Sequence, residues 1–404
     1  MSKPFVSLRT TAPASAALLF TLCLAGCGSS SKTATSPIVP IPPSKTQPAL
    51  YIGTENLDNL SELFEVGGGG VWDMTLNSQL GQFSIDDISN ITELNGGSPI
   101  SGDYDSAGSF LNLIPRDGGG VSLNNGYALV LPGEAALMRP GYNGESLVVM
   151  AAQSNCLGVK PSTEFVFVAM PNLNWLPQSS PAYGSLQASS SGSGWTFSSI
   201  SQSKLNGSAA SALTIPAGTC LQAEEGSVIS IPASSVTGNE TDTIAIGPTG
   251  YFVMDQGSGN PNDYGPSSLV GVIEPSSAIT LSDVTSSKFL GFYYESLAGF
   301  SGVPVTQPVA FGQGKHTATT VTGGVFATDN PASTPNADTS IDFGAQDSST
   351  NGLFPHATVV VPDPNAICTG AAVTTTPSGV PGCLLQAAAV VGNANNRQIG
   401  RAHV

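Results

Sequence analysis

Three histidines occur in the chain, and two have contexts that bear on catalysis. His316 lies in Gly312-Gln313-Gly314-Lys315-His316-Thr317, which reads as a turn; His356 follows Pro355 ahead of an apolar run. One histidine suffices for a Ser-His-Asp triad, so the count alone does not remove that chemistry. A surface or turn position is the plainer reading of both. The G-x-S-x-G elbow, the G-x-x-x-x-G-K-[ST] loop and the H-E-x-x-H zinc pair do not occur. Gly67-Gly68-Gly69-Gly70 lacks the lysine and following helix of a phosphate cradle, and reads as a flexible loop before a strand at Val71-Trp72.

Carboxylates offer a second chemistry. A glycosidase needs two of them about 5–10 Å apart in space, which sequence spacing cannot supply. Glu164, Glu274 and Glu295 stand beside predicted strands and are the acidic candidates, against the commoner reading of glutamate on a solvent face. Trp72, Trp175 and Trp195 have the rings to stack on sugars, although isolated tryptophan in β-proteins usually fills or covers a core. Asp255, Asn260 and Asp263 supply oxygens for Ca²⁺ in a stretch where Gly257 and Gly259 replace expected ligands. Asp86-Asp87 and Asp103-Tyr104-Asp105 read as similar loop carboxylates, with a solvated turn as the default. No other cofactor is expected.

Cys156, Cys220, Cys368 and Cys383 form an even set, compatible with disulfides in an oxidising compartment. Three pairings are open. Cys156–Cys220 with Cys368–Cys383 is favoured because each bridge then closes within one region. A metal site is disfavoured by the lack of a C-x-x-C chelate and the scarcity of histidine.

The chain opens with Lys3 and Arg9, and no acidic residue precedes Glu55. The apolar run Ala16–Leu24 is too short for a spanning helix, which needs about 20 residues. It leads into Leu24-Ala25-Gly26-Cys27, a segment that resembles the lipobox of bacterial lipoprotein signal peptides. That resemblance implies cleavage before Cys27, lipid on its thiol and a membrane anchor of two or more acyl chains. Gly28 in place of Asp favours the outer membrane over the inner, facing the periplasm or the exterior. Residues 28–48, with Pro37, Pro40, Pro42, Pro43 and Pro48, read as an extended tether.

The elements that would position these residues are strands. The whole chain carries 12 Lys+Arg against 28 Asp+Glu. Without residues 1–26, which hold Lys3 and Arg9, 10 basic residues face 28 acidic ones, a net charge of −18. Nucleic acid is therefore not an expected partner; a glycan or an envelope protein is. Charged residues are 10% of the chain, while Gly (47) and Pro (30) punctuate short β-branched and aromatic runs. Ala49–Ile52, Phe110–Ile114, Phe165–Val168 and Thr358–Val361 are examples. This predicts an all-β fold of antiparallel sheets in repeated β-modules, whether barrel, sandwich or propeller-like. A helix is predicted only over Asn59–Val66.

Val121–Val130 and Ile244–Val253 read as hairpins, and aligning Tyr127 with Tyr251 gives an internal repeat at an offset of 124. Glu164–Val168 against Lys288–Phe292 keeps that offset, Ala182–Gly184 against Ala310–Gly312 gives 128, and Ala389–Asn396 resembles the opening of a further copy. The expected divisions are a signal peptide at 1–26, a lipidated tether at 27–48, and β-rich modules at 49–235 and 236–398. Residues 399–404 resemble the in-frame translation of a sequencing adapter and are left out of the fold reading.

Overall fold

A computed structural model describes residues 17–24, 49–55, 71–87, 100–117, 126–139, 147–152, 154–156, 159–171, 182–191, 194–204, 214–223, 226–232, 242–248, 250–256, 267–285, 288–296, 305–326, 330–363, 368–394 and 397–403. The protein is all-β, and its antiparallel strands form three rings in sequence. β1 (Ala17–Leu24) joins the last of these.

The first ring is a closed barrel of β2 (Ala49–Glu55), β3 (Val71–Asn77), β4 (Gln82–Asp87), β5 (Ile100–Ala107), β6 (Phe110–Asp117), β7 (Gly126–Leu131), β8 (Ala135–Arg139) and β9 (Val148–Ala152). It shuts where β9 returns to β2, with Ala152 opposite Tyr51. The second is a closed barrel of β10 (Glu164–Pro171), β11 (Ala182–Ser191), β12 (Gly194–Lys204), β13 (Thr214–Ala223), β14 (Gly226–Ile231), β15 (Asp242–Ile246), β16 (Tyr251–Gln256) and β17 (Ser267–Ile273), shut by pairing of β17 with β10. Closure removes the exposed sheet edges that invite aggregation.

The short helix α1 (Leu281–Thr285) leads into the third ring: β18 (Phe289–Ser296), β19 (Val305–His316), β20 (Thr320–Val325), β21 (Thr339–Asp342), β22 (Leu353–Pro362), β23 (Val373–Thr375), β24 (Pro381–Ala394) and β25 (Arg397–His403). β22 pairs with β24, and β23 edges β24. β1 lies between β18 and β25, in the position that the eighth strand holds in the other two barrels.

Each barrel has its own apolar interior. Tyr51, Met74, Ile85 and Met150 lie in the first, Phe165, Phe197, Ile229 and Phe252 in the second, and Phe289, Phe311, Phe343 and Phe354 in the third. A fourth core lies between the barrels and draws on all three, through Leu137 and Val149, Val166 and Val253, and Phe292 and Val390. Strands next to this shared core are therefore apolar on both faces. In β9, Val148, Met150 and Ala152 point into the barrel, whereas Val149 and Ala151 point into the shared core. β8 and β9 are buried at every position, the continuous apolar pattern expected of a two-sided strand. Away from the centre, β21 alternates buried and half-buried residues.

The barrels join head to tail. The seam strands β2 and β9 pack on β15 and β16, the sixth and seventh strands of the second barrel. The seam strands β10 and β17 pack on β24 and β25, the sixth and seventh of the third. On the remaining side Phe110 meets Phe292 edge to face at 5.3 Å and Phe326 at 5.9 Å. Two of the contacts are thus alike, and the third, through Phe110, Phe292 and Phe326, brings the first and third barrels together at the shared core. Glycines on or next to the sixth strands allow the close approach. A Cβ on Gly247, just after β15, would stand 3.1 and 3.2 Å from the Glu134 and Ala152 carbonyl oxygens. One on Gly392, within β24, would stand 3.0 Å from Val272.

Several sequence readings change. The strand sets number three, and the division expected at 235/236 falls inside the second barrel, between β14 and β15. Residues 121–125 lie outside the described residues, and β7 pairs with β6 and β8, so Tyr127 and Tyr251 occupy the sixth and seventh strands of their barrels and are not equivalent. Ala389–Ala394 is the end of a sixth strand and not the opening of a copy. The pairs Glu164–Val168 with Lys288–Phe292, and Ala182 with Ala310, do fall on first and second strands of successive barrels. Residues 399–404, set aside in the sequence reading, contribute to β25 through His403. The predicted helix at 59–66 lies outside the described residues.

Candidate functional site

Ring closure brings together two glutamates that are 110 positions apart. Phe165 pairs with Ile273 across the seam of the second barrel, so Glu164 and Glu274 follow as cross-strand neighbours at its rim. The Glu274 N–H donates to the Glu164 carbonyl oxygen at 2.8 Å, which sets the two acidic residues side by side on the seam. Gln187, opposite Glu164 on β11, donates through Nε2 to Glu164 Oε1 at 3.1 Å. From the third barrel, the Asn351 N–H donates to Glu274 Oε1 at 2.8 Å and its side-chain amide to the Pro275 carbonyl at 3.0 Å.

The loop carrying Asn351 is held by its own side chains. Asp347 Oδ1 accepts from Ser349 N–H at 2.8 Å, Ser349 Oγ at 2.7 Å and Thr350 N–H at 2.9 Å. Gln346 Oε1 accepts from the Ile279 and Gly352 N–H groups at 2.9 and 3.0 Å. Burial pushes the Glu274 carboxyl above its ordinary range, the Glu164 carboxyl and the Asp347 charge add to this, and the Asn351 donor opposes it. Burial also acts to raise Asp347, but the Ser349 and Thr350 donors and the His356 charge outweigh it and the carboxyl lies below its usual range. Each carboxyl accepts from a protein amide, Glu164 from Gln187 and Glu274 from Asn351, an arrangement that reads as a structural seam rather than an acid–base pair flanking a sugar and a water about 5–10 Å apart.

The other candidates are dispersed. Glu295 lies on β18 between Leu18 and Val305, away from the acid pair in the sheet order. His356 is exposed within β22, and His316 ends β19 opposite Val321. Gly312–His316, read as a turn, instead continues β19 past a register shift, with Gly312 at φ +76. Trp195 is buried inside the second barrel, Trp72 lies on β3, and Trp175 falls outside the described residues. Asp255 is on β16 opposite Thr243 and Ser268, while Asn260, Asp263 and Gly67–Gly70 lie outside the described residues. Asp86 and Asp87 belong to β4, and Asp103 and Asp105 to β5, so these are strand and not loop carboxylates. Asp103 pairs with Arg116 on the adjacent strand.

Cys156 is bonded to Cys220 and Cys368 to Cys383, with Cα separations of 5.9 and 5.7 Å, each bridge within one barrel's core. Asp363, Cys368 and Cys383 gather three ligand-type atoms, but the bridge occupies both sulfurs, and Asp363 Oδ2 accepts the Cys368 N–H at 2.8 Å. Cys27 lies outside the described residues.

Sequence reasoning passed over two tyrosines inside the first barrel. Tyr51 is fully buried, and the hydroxyls of Tyr51 and Tyr104 have no hydrogen-bond partner among the described residues. Burial, with Tyr104 close by, holds the Tyr51 hydroxyl protonated well above the ordinary phenol range; burial raises Tyr104 as well. The available signal was a tyrosine on the first strand, where the other barrels turn Phe165, Phe167 and Phe289 inward. Compared with known proteins, the chain matches no family model, no curated protein and no solved structure.

Proposed function

We propose that this is a lipid-anchored protein of the bacterial cell envelope, held by acyl chains on Cys27, whose β-barrel body serves as a binding or structural module; the cleavage this requires would remove β1 and open the third ring between β18 and β25. The observation that carries this reading is Leu24-Ala25-Gly26-Cys27 behind a charged start and a short apolar run, followed by a proline-rich tether ending where β2 begins. Gly28 favours the outer membrane. The acidic body favours a glycan or an envelope protein as partner over nucleic acid. No helix among the described residues is long and apolar enough to cross a membrane.

Binding is favoured over polysaccharide hydrolysis because the acid pair that closure creates, Glu164 with Glu274, is tied up by the Gln187 and Asn351 amides at the barrel seam. The anchor is tested by expressing the full chain and its Cys27→Ala variant with and without globomycin. The expected result is membrane partition and a processed mobility for the parent, with precursor accumulating in the variant and the treated cells. Unchanged processing and partition in both would overturn the assignment.

A further inference from the structure

An eight-stranded barrel is wide enough either to be filled by its own side chains or to hold one small molecule. The second and third barrels are packed with aromatic rings. Phe165, Phe197 and Phe252 meet ring to ring at centroid distances from 5.2 to 6.4 Å. In the third, Phe343 packs on Phe289 and Phe354 at 5.7 and 5.8 Å, and Val284 of α1 adds to the same core. The first barrel is lined differently. Among the described residues Phe83 is the one phenylalanine in its core cluster, whose largest share is Leu, Ile and Val, with the three methionines Met74, Met138 and Met150 beside them. Methionine is the apolar side chain that adapts most readily to a guest.

Into this apolar lining the barrel places two phenols. Tyr51 lies opposite Met74 and Ala152 on the neighbouring strands, and Tyr104 packs against the same core from β5. A buried hydroxyl without a partner is destabilising, and phenylalanine would pack the same ring without that burden, as the sister barrels do. Apolar walls with a few convergent polar groups are the usual form of a small-molecule site. Among the described residues no lysine or arginine belongs to this lining, and Arg139, on β8, follows the inward Met138 and so points to the opposite face. The lining therefore suits a neutral guest better than a carboxylate.

We infer that the interior of the first barrel is a binding site for a small apolar molecule bearing one uncharged oxygen, an alcohol or a carbonyl, that pairs with the hydroxyls of Tyr51 and Tyr104. This deepens the binding reading of the body and rests on it, but it does not depend on the anchor at Cys27.

The purified full chain is titrated with 1-octanol and separately with octanoate, followed by calorimetry and by thermal melting. The same titrations are run on Tyr51→Phe/Tyr104→Phe. Octanol is expected to bind and to raise the melting temperature of the parent, with octanoate weaker. The double variant should bind octanol about tenfold or more weakly, while melting at or above the parent temperature without ligand. Absence of octanol binding by the parent, or equal octanol affinity in the double variant, would overturn the site. Octanoate binding as tight as octanol would overturn the neutral-guest assignment. None of these results bears on lipidation.

Discussion

Replacing Phe110 by alanine tests whether the three barrels stand or fall together. The side chain is fully buried in the shared core and contacts Phe292 and Phe326 of the third barrel edge to face. Truncating a buried phenylalanine costs about 3–5 kcal/mol, to which each lost ring pair contributes about 0.5–1.5 kcal/mol. The expected loss is therefore near the upper end, about 5 kcal/mol. Urea unfolding can be followed by Trp195, which reports from inside the second barrel, after Trp72 and Trp175 are changed to phenylalanine. With a slope of about 3 kcal/mol per molar urea, the Trp195 midpoint should fall by more than about 1 M in Phe110→Ala, although no atom of the second barrel has changed. A Trp195 midpoint that stays in place, while a Trp72-only version shows the first barrel melting early, would refute the shared core as a cooperative unit.

Other consequences can be checked in the same protein. Removing the Cys156–Cys220 bridge by a double serine change should destabilise by about 4 kcal/mol and removing Cys368–Cys383 by about 3 kcal/mol, because they close loops of 64 and 15 residues; thermal melts showing the reverse order would contradict the loop argument. Gly392→Ala should cost about 1–3 kcal/mol by pressing on Val272, and adding Val272→Ala should recover part of it, whereas strictly additive losses would mean the two do not meet. Glu274 has a raised pKa in the folded protein, so its contribution to stability is complete below the ordinary glutamate pKa and is lost as pH rises through the shifted value. Glu274→Gln should therefore gain on the parent at neutral pH, by less than about 1 kcal/mol for so exposed a pair, and lose that gain near pH 4; an equal difference at both pH values would disprove the coupling.

The strands were legible because their determinants are local: β-branched and aromatic runs such as Phe165–Val168, bounded by turn formers. The doubly buried strands also left a mark, since Val148-Val149-Met150-Ala151-Ala152 lacks polar alternation. What such a run packs against on each side is not a local property, so the shared core was invisible. Closure was hidden for the same reason. Nothing between Tyr51 and Ala152 announces that they will be neighbours, nor does Glu164 announce Glu274. The repeat was legible in existence but misplaced in phase, because Tyr127 and Tyr251 look alike although they occupy successive strand positions. The hydroxyls of Tyr51 and Tyr104 became informative only when their surroundings were known to offer no partner.

The head-to-tail succession of barrels around one core has one further implication. A trimer of identical subunits must repeat every interior three times, so any change made to bind something in one is imposed on all. Covalent succession lifts that constraint. Each barrel here can drift on its own while the central packing keeps the set together, and the interiors have indeed parted ways: methionines with two phenols in the first, a cluster of rings in the second, and a helix-assisted core in the third. Division of labour among near-copies, with one free to specialise and two retained as support, is what a fused chain permits and a symmetric assembly forbids.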